Sequence, residues 1–124
     1  MSIFSKRQTG DAGENYCVKY LKKHGYRIVC RNYSRPCGEI DVIAEKSGEL
    51  AFVEVKTRQV NSMTKPYEAV DFKKQQRIAN TAQLYLAENE TESFCRFDVC
   101  EVIIDKDTLK LIDLNYIENA FEMR

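Results

Sequence analysis

The sequence has a single histidine, His24, and its five cysteines (Cys17, Cys30, Cys37, Cys95 and Cys100) include no Cys-x-x-Cys pair. A zinc site draws on several such ligands at short spacing, so none is expected. An odd set of cysteines points to reduced thiols in a cytoplasmic protein, with Cys17, Cys30 and Cys100 serving as small apolar residues. No apolar run approaches the roughly 20 residues that span a bilayer. The opening Met-Ser-Ile-Phe-Ser-Lys-Arg-Gln carries no signal-like apolar core, and no membrane partner is expected. Excess charge is also missing: 19 Lys and Arg balance 19 Asp and Glu, which argues against a generally basic nucleic-acid binder. No internal repeat or low-complexity segment appears. What remains is a chain of 124 residues, 44% hydrophobic and 31% charged. That composition suits a single domain, residues 1–124, with one core.

Zero net charge hides an uneven distribution. Residues 1–35 hold eight Lys and Arg against two acids, whereas residues 88–124 hold four against ten. Such asymmetry allows a basic face beside an acidic one, and solvated helix surfaces account for part of it.

The stretch that organises the chain is Gly38 to Lys56. It reads as two strands around a Ser47-Gly48 turn. A two-residue loop sets Lys46 opposite Glu49, Asp41 opposite Glu54 and Glu39 opposite Lys56. Opposed side chains lie roughly 4.5–5.5 Å apart at Cβ. Alternation along each strand sends Glu39, Asp41, Glu54 and Lys56 to one face. Charges among apolar strand residues are costly unless paired or metal-bound. A cross-strand ion-pair cluster would satisfy any one pair. For the whole set, two neighbouring carboxylates sharing one hard divalent cation is the reading favoured here. Such a metal activates water and stabilises charge on a phosphoryl oxygen. Lys56 would lie beside the same metal and phosphate.

Asp41, the turn, then Glu54-Val55-Lys56 resembles the PD-(D/E)xK nuclease signature, with Ile40 in place of its proline. A wider set of motifs occurs in order: Gly13-Glu14, Tyr20-Leu21, Gly25-Tyr26, Arg31-Asn32-Tyr33, Gly38-Glu39-Ile40-Asp41, Phe52 through Arg58, Glu68-Ala69-Val70 and Arg96-Phe97-Asp98-Val99. Together they resemble the bacterial YraN family of predicted endonucleases, which is similar in fold to the archaeal Holliday junction resolvases. The resemblance spans nearly the whole chain. It implies an α/β fold with a restriction-endonuclease-like core, a Mg²⁺ or Mn²⁺ cofactor and DNA as partner, and it leaves a homodimer open. Glu14 matches by position the first-helix glutamate that contributes to the metal site in resolvase-like nucleases. In a helix's first turn it could equally be a partner of the helix dipole.

The remaining elements follow from periodicity. Gln8 to His24 reads as a helix with Thr9 as N-cap, Gly25 as stop, and Cys17, Tyr20 and Leu21 on its apolar face. His24 is expected as a C-terminal cation. Gly10 and Gly13 suggest close backbone approach. Tyr26 to Tyr33 is a first strand, with Arg31 and Arg35 near its end placed for phosphate contact or simply at an exposed strand end. Thr57 to Lys65 reads as a loop carrying Arg58. A long helix is expected from Pro66, with Val70, Ile78, Ala82, Tyr85 and Leu86 buried. Lys74 and Gln75 point inward near its start, while Lys73 and Arg77 suit either a phosphate platform or an ordinary basic face. Phe94 to Ile104 is a strand, with Arg96 and Asp98 expected as a structural pair at its outer end. Leu109 to Tyr116 is a further strand, and Ile117 to Phe121 a short amphipathic end. The order is α-β-β-β-α-β plus one C-terminal strand around a mixed central sheet.

The leading function is a metal-dependent endonuclease hydrolysing DNA phosphodiester bonds, in branched or damaged DNA among other substrates. Asp41 and Glu54 would ligate the metal with Glu14 as third acid. Lys56 would orient water or stabilise the pentacovalent phosphorus, and Glu39 would support the ligands or pair with Lys56. Phosphates would meet Arg31, Arg35, Arg58, Lys73, Lys74 and Gln75. Two alternatives keep the fold without the chemistry: a catalytically inactive nucleic-acid-binding module, and a protein-interaction factor using the acidic C-terminal face.

Overall fold

The first helix, α1 (Lys6–Lys23), begins behind Ser5. The Ser5 hydroxyl accepts from the Gln8 amide at 3.1 Å and the Gln8 side chain accepts from the Ser5 amide at 2.8 Å. This reciprocal capping box satisfies two amides that a helix start leaves without partners. It moves the start ahead of the expected Gln8 and takes the cap from Thr9: Ser-x-x-Gln is the stronger local signal. At the other end His24 is the C-cap and Gly25, at φ 87°, turns the chain out as expected. The computed structural model describes residues 3–60 and 70–122.

Three strands follow, β1 (Arg27–Arg35), β2 (Gly38–Lys46) and β3 (Glu49–Gln59). Then come α2 (Phe72–Glu88), β4 (Phe94–Ile104) and β5 (Leu111–Phe121). The five strands lie side by side in chain order, parallel between β3 and β4 and antiparallel elsewhere. This is the mixed sheet and element order expected of a restriction-endonuclease-like core. Alternation along β3 divides the interior. Leu50 and Phe52 pack with Ile78, Ala82 and Tyr85 of α2, while Ala51 and Val53 pack with Cys17 and Leu21 of α1. The helices therefore cover opposite faces of the sheet, a three-layer arrangement.

Four expectations are corrected. Thr57, Arg58 and Gln59 are strand rather than loop, pairing with Val102, Ile103 and Ile104 of β4. Their polar sequence hides this, because backbone pairing with a long apolar neighbour sustains a strand that has no apolar pattern of its own. Residues 61–65 of the expected loop and the expected helix start at Pro66 lie outside the described residues. The described α2 begins at Phe72 with Asp71 as N-cap, accepting from the Lys74 amide at 2.8 Å. Val70 is buried from the segment ahead of the helix, its carbonyl accepting from the Gln75 side chain at 2.7 Å. Ile117 to Phe121 continues β5, with Ile117 opposite Val99 and Phe121 opposite Phe97.

The fourth correction concerns Arg96 and Asp98. They are the structural pair expected, but Asp98 is fully buried rather than at an outer end. Arg96 holds its carboxylate at 2.9 Å, the Tyr116 hydroxyl donates to it at 2.5 Å and the Asn119 amide at 2.8 Å. Arg96 also reaches Glu49 and the Tyr26 hydroxyl. The network ties β3, β4 and β5 to one another and to Tyr26, just ahead of β1.

Candidate functional site

The site arises where β2 and β3 part. The expected turn register holds, with Lys46 opposite Glu49 and Val42 opposite Val53. Pairing ends there, one step short of Asp41 and Glu54, and Glu39 instead lies opposite Ser34 of β1. On its other side β3 stays paired with β4 through Gln59. The fork exposes a backbone amide of β3 to a side chain of β2: Asp41 accepts from the Val55 amide at 2.8 Å. One strand end thus contributes two acids, Asp41 half-buried and Glu54 buried.

Helix α1 brings the third. Gly13 lies so close to β3 that a Cβ there would fall 1.8 Å from the Thr57 hydroxyl. This is the close approach expected of the glycine pair, and it belongs to Gly13 alone, since nothing lies within 4 Å of a Cβ at Gly10. The contact sets the next residue, Glu14, against the sheet, 7% exposed. Glu14 accepts from Arg31 at 2.7 Å and from Asn32 at 3.1 Å. From the opposite layer, α2 supplies Lys74, whose ammonium lies 2.5 Å from the Glu54 carboxylate.

Glu14, Asp41, Glu54, Lys56 and Lys74 line one cleft of about 860 Å³. Asp41, Glu54 and Lys74 also line a second, of about 640 Å³, together with Glu39. The electrostatics are those of crowded carboxylates. Burial first, then the charges of Glu54, Glu14 and Glu39, push the Asp41 carboxyl up to about 7, against the lowering effect of the Val55 amide. Burial alone would lower the Lys74 ammonium. The bond to Glu54 and the charges of Glu54, Asp41 and Asp71 outweigh it and leave Lys74 raised.

The candidate phosphate contacts separate into groups. Arg31 is spent on Glu14 and on Asn15, 2.7 Å away. Arg35 lies 4.2 Å above the Tyr33 ring and pairs with Glu88 at 3.2 Å. The Arg58 side chain, expected on a loop, is only 10% exposed on β3 and pairs with buried Glu101 at 3.4 Å. Gln75 anchors Val70 and lines neither cleft. Lys73 lines the second cleft beside Lys74.

The pattern that defines Uncharacterised protein family UPF0102 matches residues 13–102, from the glycine at the α1–β3 contact to near the end of β4. The chain belongs to this family. A UPF0102 protein of Caldanaerobacter subterraneus subsp. tengcongensis is 42% identical over 122 residues, 98% of this chain and all of that one. UPF0102 proteins of Alkaliphilus metalliredigens and Symbiobacterium thermophilum are 45% and 46% identical, each over 116 residues. These alignments cover 93% of this chain and 98% and 97% of the two relatives. The YraN resemblance therefore holds at the level of the family.

The UPF0102 segment contains every acid of the candidate site. Carboxylate oxygens are the ligand type that Mg²⁺ and Mn²⁺ prefer, and Asp41, raised first by burial and then by the charges of Glu54, Glu14 and Glu39, lies where a cation would offset those charges. In donor chemistry and in charge the residues fit such a metal. Among the described residues no three Asp, Glu, His or Cys side chains already converge as a ligand group. Each acid has a protein donor in that role: Lys74 on Glu54, Arg31 and Asn32 on Glu14, the Val55 amide on Asp41. Sequence reasoning passed over Lys6 and Arg7, which line the first cleft. Their one available signal was the surplus of cations in residues 1–35, which suits a basic face or solvated helix surfaces and singles out neither residue. Among the described residues no helix is long and apolar enough to cross a membrane.

Proposed function

We propose that this UPF0102 protein is a Mg²⁺- or Mn²⁺-dependent endonuclease that hydrolyses phosphodiester bonds in DNA. The observation that carries the reading is the pair Asp41 and Glu54, placed by the strand fork at the junction of two clefts with two lysines beside them. An ordinary structural ion pair balances its charges, whereas here burial first, and then the charges of Glu54, Glu14 and Glu39, push the Asp41 carboxyl up to about 7. Asp41 and Glu54 would hold the cation, with Glu14 as a further ligand and Glu39 stabilising the arrangement from the second cleft. The bound metal supplies an activated water and a counter-charge for the phosphoryl oxygens. Lys56, half-buried in the first cleft, would orient that water or neutralise the charge that builds on the phosphoryl oxygens. Lys74, which now holds Glu54, would be available to the substrate phosphate where a cation held that carboxylate instead.

The second reading, an inactive nucleic-acid-binding module, draws on the protein donor that each acid already holds. Cleavage of single-stranded, duplex and four-way-junction DNA with each metal, beside melting temperature on the same samples, separates the two. The endonuclease predicts metal-dependent stabilisation and cleavage, both lost in Asp41→Asn while DNA binding survives. A wild type showing neither, with Asp41→Asn merely more stable, replaces it with the binding module.

A further inference from the structure

The acids do not lie at the blind end of one pocket. Asp41, Glu54 and Lys74 are wall to both clefts, so the clefts meet at the carboxylates and lead away from them in two directions. The first runs under the start of α1, the second under the start of α2. Apart from the shared residues, cations outnumber acids in each. Lys6, Arg7, Lys56 and Arg58 face Asp11 and Glu14 in the first. Arg35, Lys73 and Arg77 face Glu39 and Asp71 in the second. Several of these cations are committed inside the protein, Arg58 to Glu101 and Arg35 to Glu88. Four differ: Lys6 and Arg7 on α1, and Lys73 and Arg77 on α2, are exposed and make no ion pair among the described residues.

We infer that the two clefts are the two halves of one path for a nucleic-acid backbone, crossing the acids at the phosphate to be cleaved. Lys6 and Arg7 hold phosphates on one side of that linkage, and Lys73 and Arg77 hold phosphates on the other. The inference rests on the nuclease reading and adds subsites to it. A phosphodiester chain has one negative charge per linkage, so a strand crossing a cluster of carboxylates is repelled at its centre. Cations gripping it on both flanks offset that repulsion, and Lys6, Arg7, Lys73 and Arg77, which make no ion pair among the described residues, lie on those flanks. Gly38 lets the start of β2 lie directly against α2 at the second arm. A Cβ there would fall 2.7 Å from the Thr81 hydroxyl and 3.3 Å from the Arg77 carbonyl, so the β2 start and the α2 turn that carries Arg77 lie against each other. That packing fixes the backbone of Arg77 beside the path.

The test uses a fluorescein-labelled DNA oligonucleotide, single-stranded and annealed as duplex, with the cleavage position mapped for the wild type in Mg²⁺ or Mn²⁺. Neutral methylphosphonate linkages are then placed on the 5′ or on the 3′ side of that position. Binding is followed by anisotropy against salt in the Asp41→Asn background, with Lys6→Ala plus Arg7→Ala in one protein and Lys73→Ala plus Arg77→Ala in another. Each double substitution should lower the slope of log affinity on log salt by about 1.4 on single strands and about 1.8 on duplex, the contribution of two phosphate contacts. One double variant should become insensitive to neutral linkages on the 5′ side only, the other on the 3′ side only. Unchanged slopes, or both variants answering to the same side, overturn the two-armed path while leaving a cleaving wild type as a nuclease. A wild type that neither binds nor cleaves overturns the path and the nuclease reading together.

Discussion

At the scale of the residue, Asp41 and Lys74 define what the site can do. Asp41 titrates near 7 in the folded protein and near 3.8 as a free side chain. Between those values the folded state binds the extra proton, so this group makes stability fall as pH rises from about 4 to about 7. Above that range Asp41→Asn should be more stable than wild type. The shift of about three pH units sets a ceiling of about 4 kcal/mol, and solvent at a half-buried group reduces it. Urea unfolding at pH 5 and pH 8 checks this, since the advantage of the asparagine should be greater at pH 8. Lys74 gives the complementary prediction. Its ammonium, half exposed, is the cation on buried Glu54. Lys74→Met should destabilise the metal-free protein by about 1–3 kcal/mol, because the carboxylate loses its partner. If Lys74 competes with the metal for Glu54, the same substitution should increase the rise in melting temperature on adding Mg²⁺ or Mn²⁺. A smaller rise than in wild type would show instead that Lys74 supports the metal.

At the scale of the element, the contact between α1 and β3 positions Glu14. Gly13→Ala places a methyl where the Thr57 side chain already lies, with 1.8 Å to its hydroxyl and 2.8 Å to its Cβ. The helix must shift, and a loss of about 2 kcal/mol or more is expected from overpacking. Gly10→Ala, with open space around it, should instead stabilise α1 by up to about 1 kcal/mol through helix propensity. Thermal unfolding of the two variants side by side tests the packing argument, since equal effects would refute it. The motif Gly13-Glu14 was readable in the sequence, but its meaning was not. Which of the two early glycines carries the contact depends on Thr57, 44 residues along the chain and on a strand extension that the polar sequence concealed.

At the scale of the whole molecule, stability and candidate chemistry occupy different places. The Asp98 network joins β3, β4, β5 and Tyr26, just ahead of β1, and lines neither cleft. Asp98→Ala should therefore cost about 3–5 kcal/mol by leaving the Arg96 charge without its buried partner. Below its lowered melting temperature, that variant should keep any metal-dependent cleavage the wild type shows. Loss of cleavage in a folded Asp98→Ala would tie the network to the site. The sequence by itself determined the element order, the Ser47-Gly48 turn register and the inward direction of Lys74, because alternation and turn chemistry are local rules. It also determined the family, through motifs spread along the chain. Only the tertiary structure decided that β2 and β3 part at Asp41, that Arg31 and Arg58 are held by Glu14 and Glu101, and that two clefts share the same acids. Each of those outcomes depends on which distant groups meet, and a charge shows its partner only once the layers that carry both are packed together.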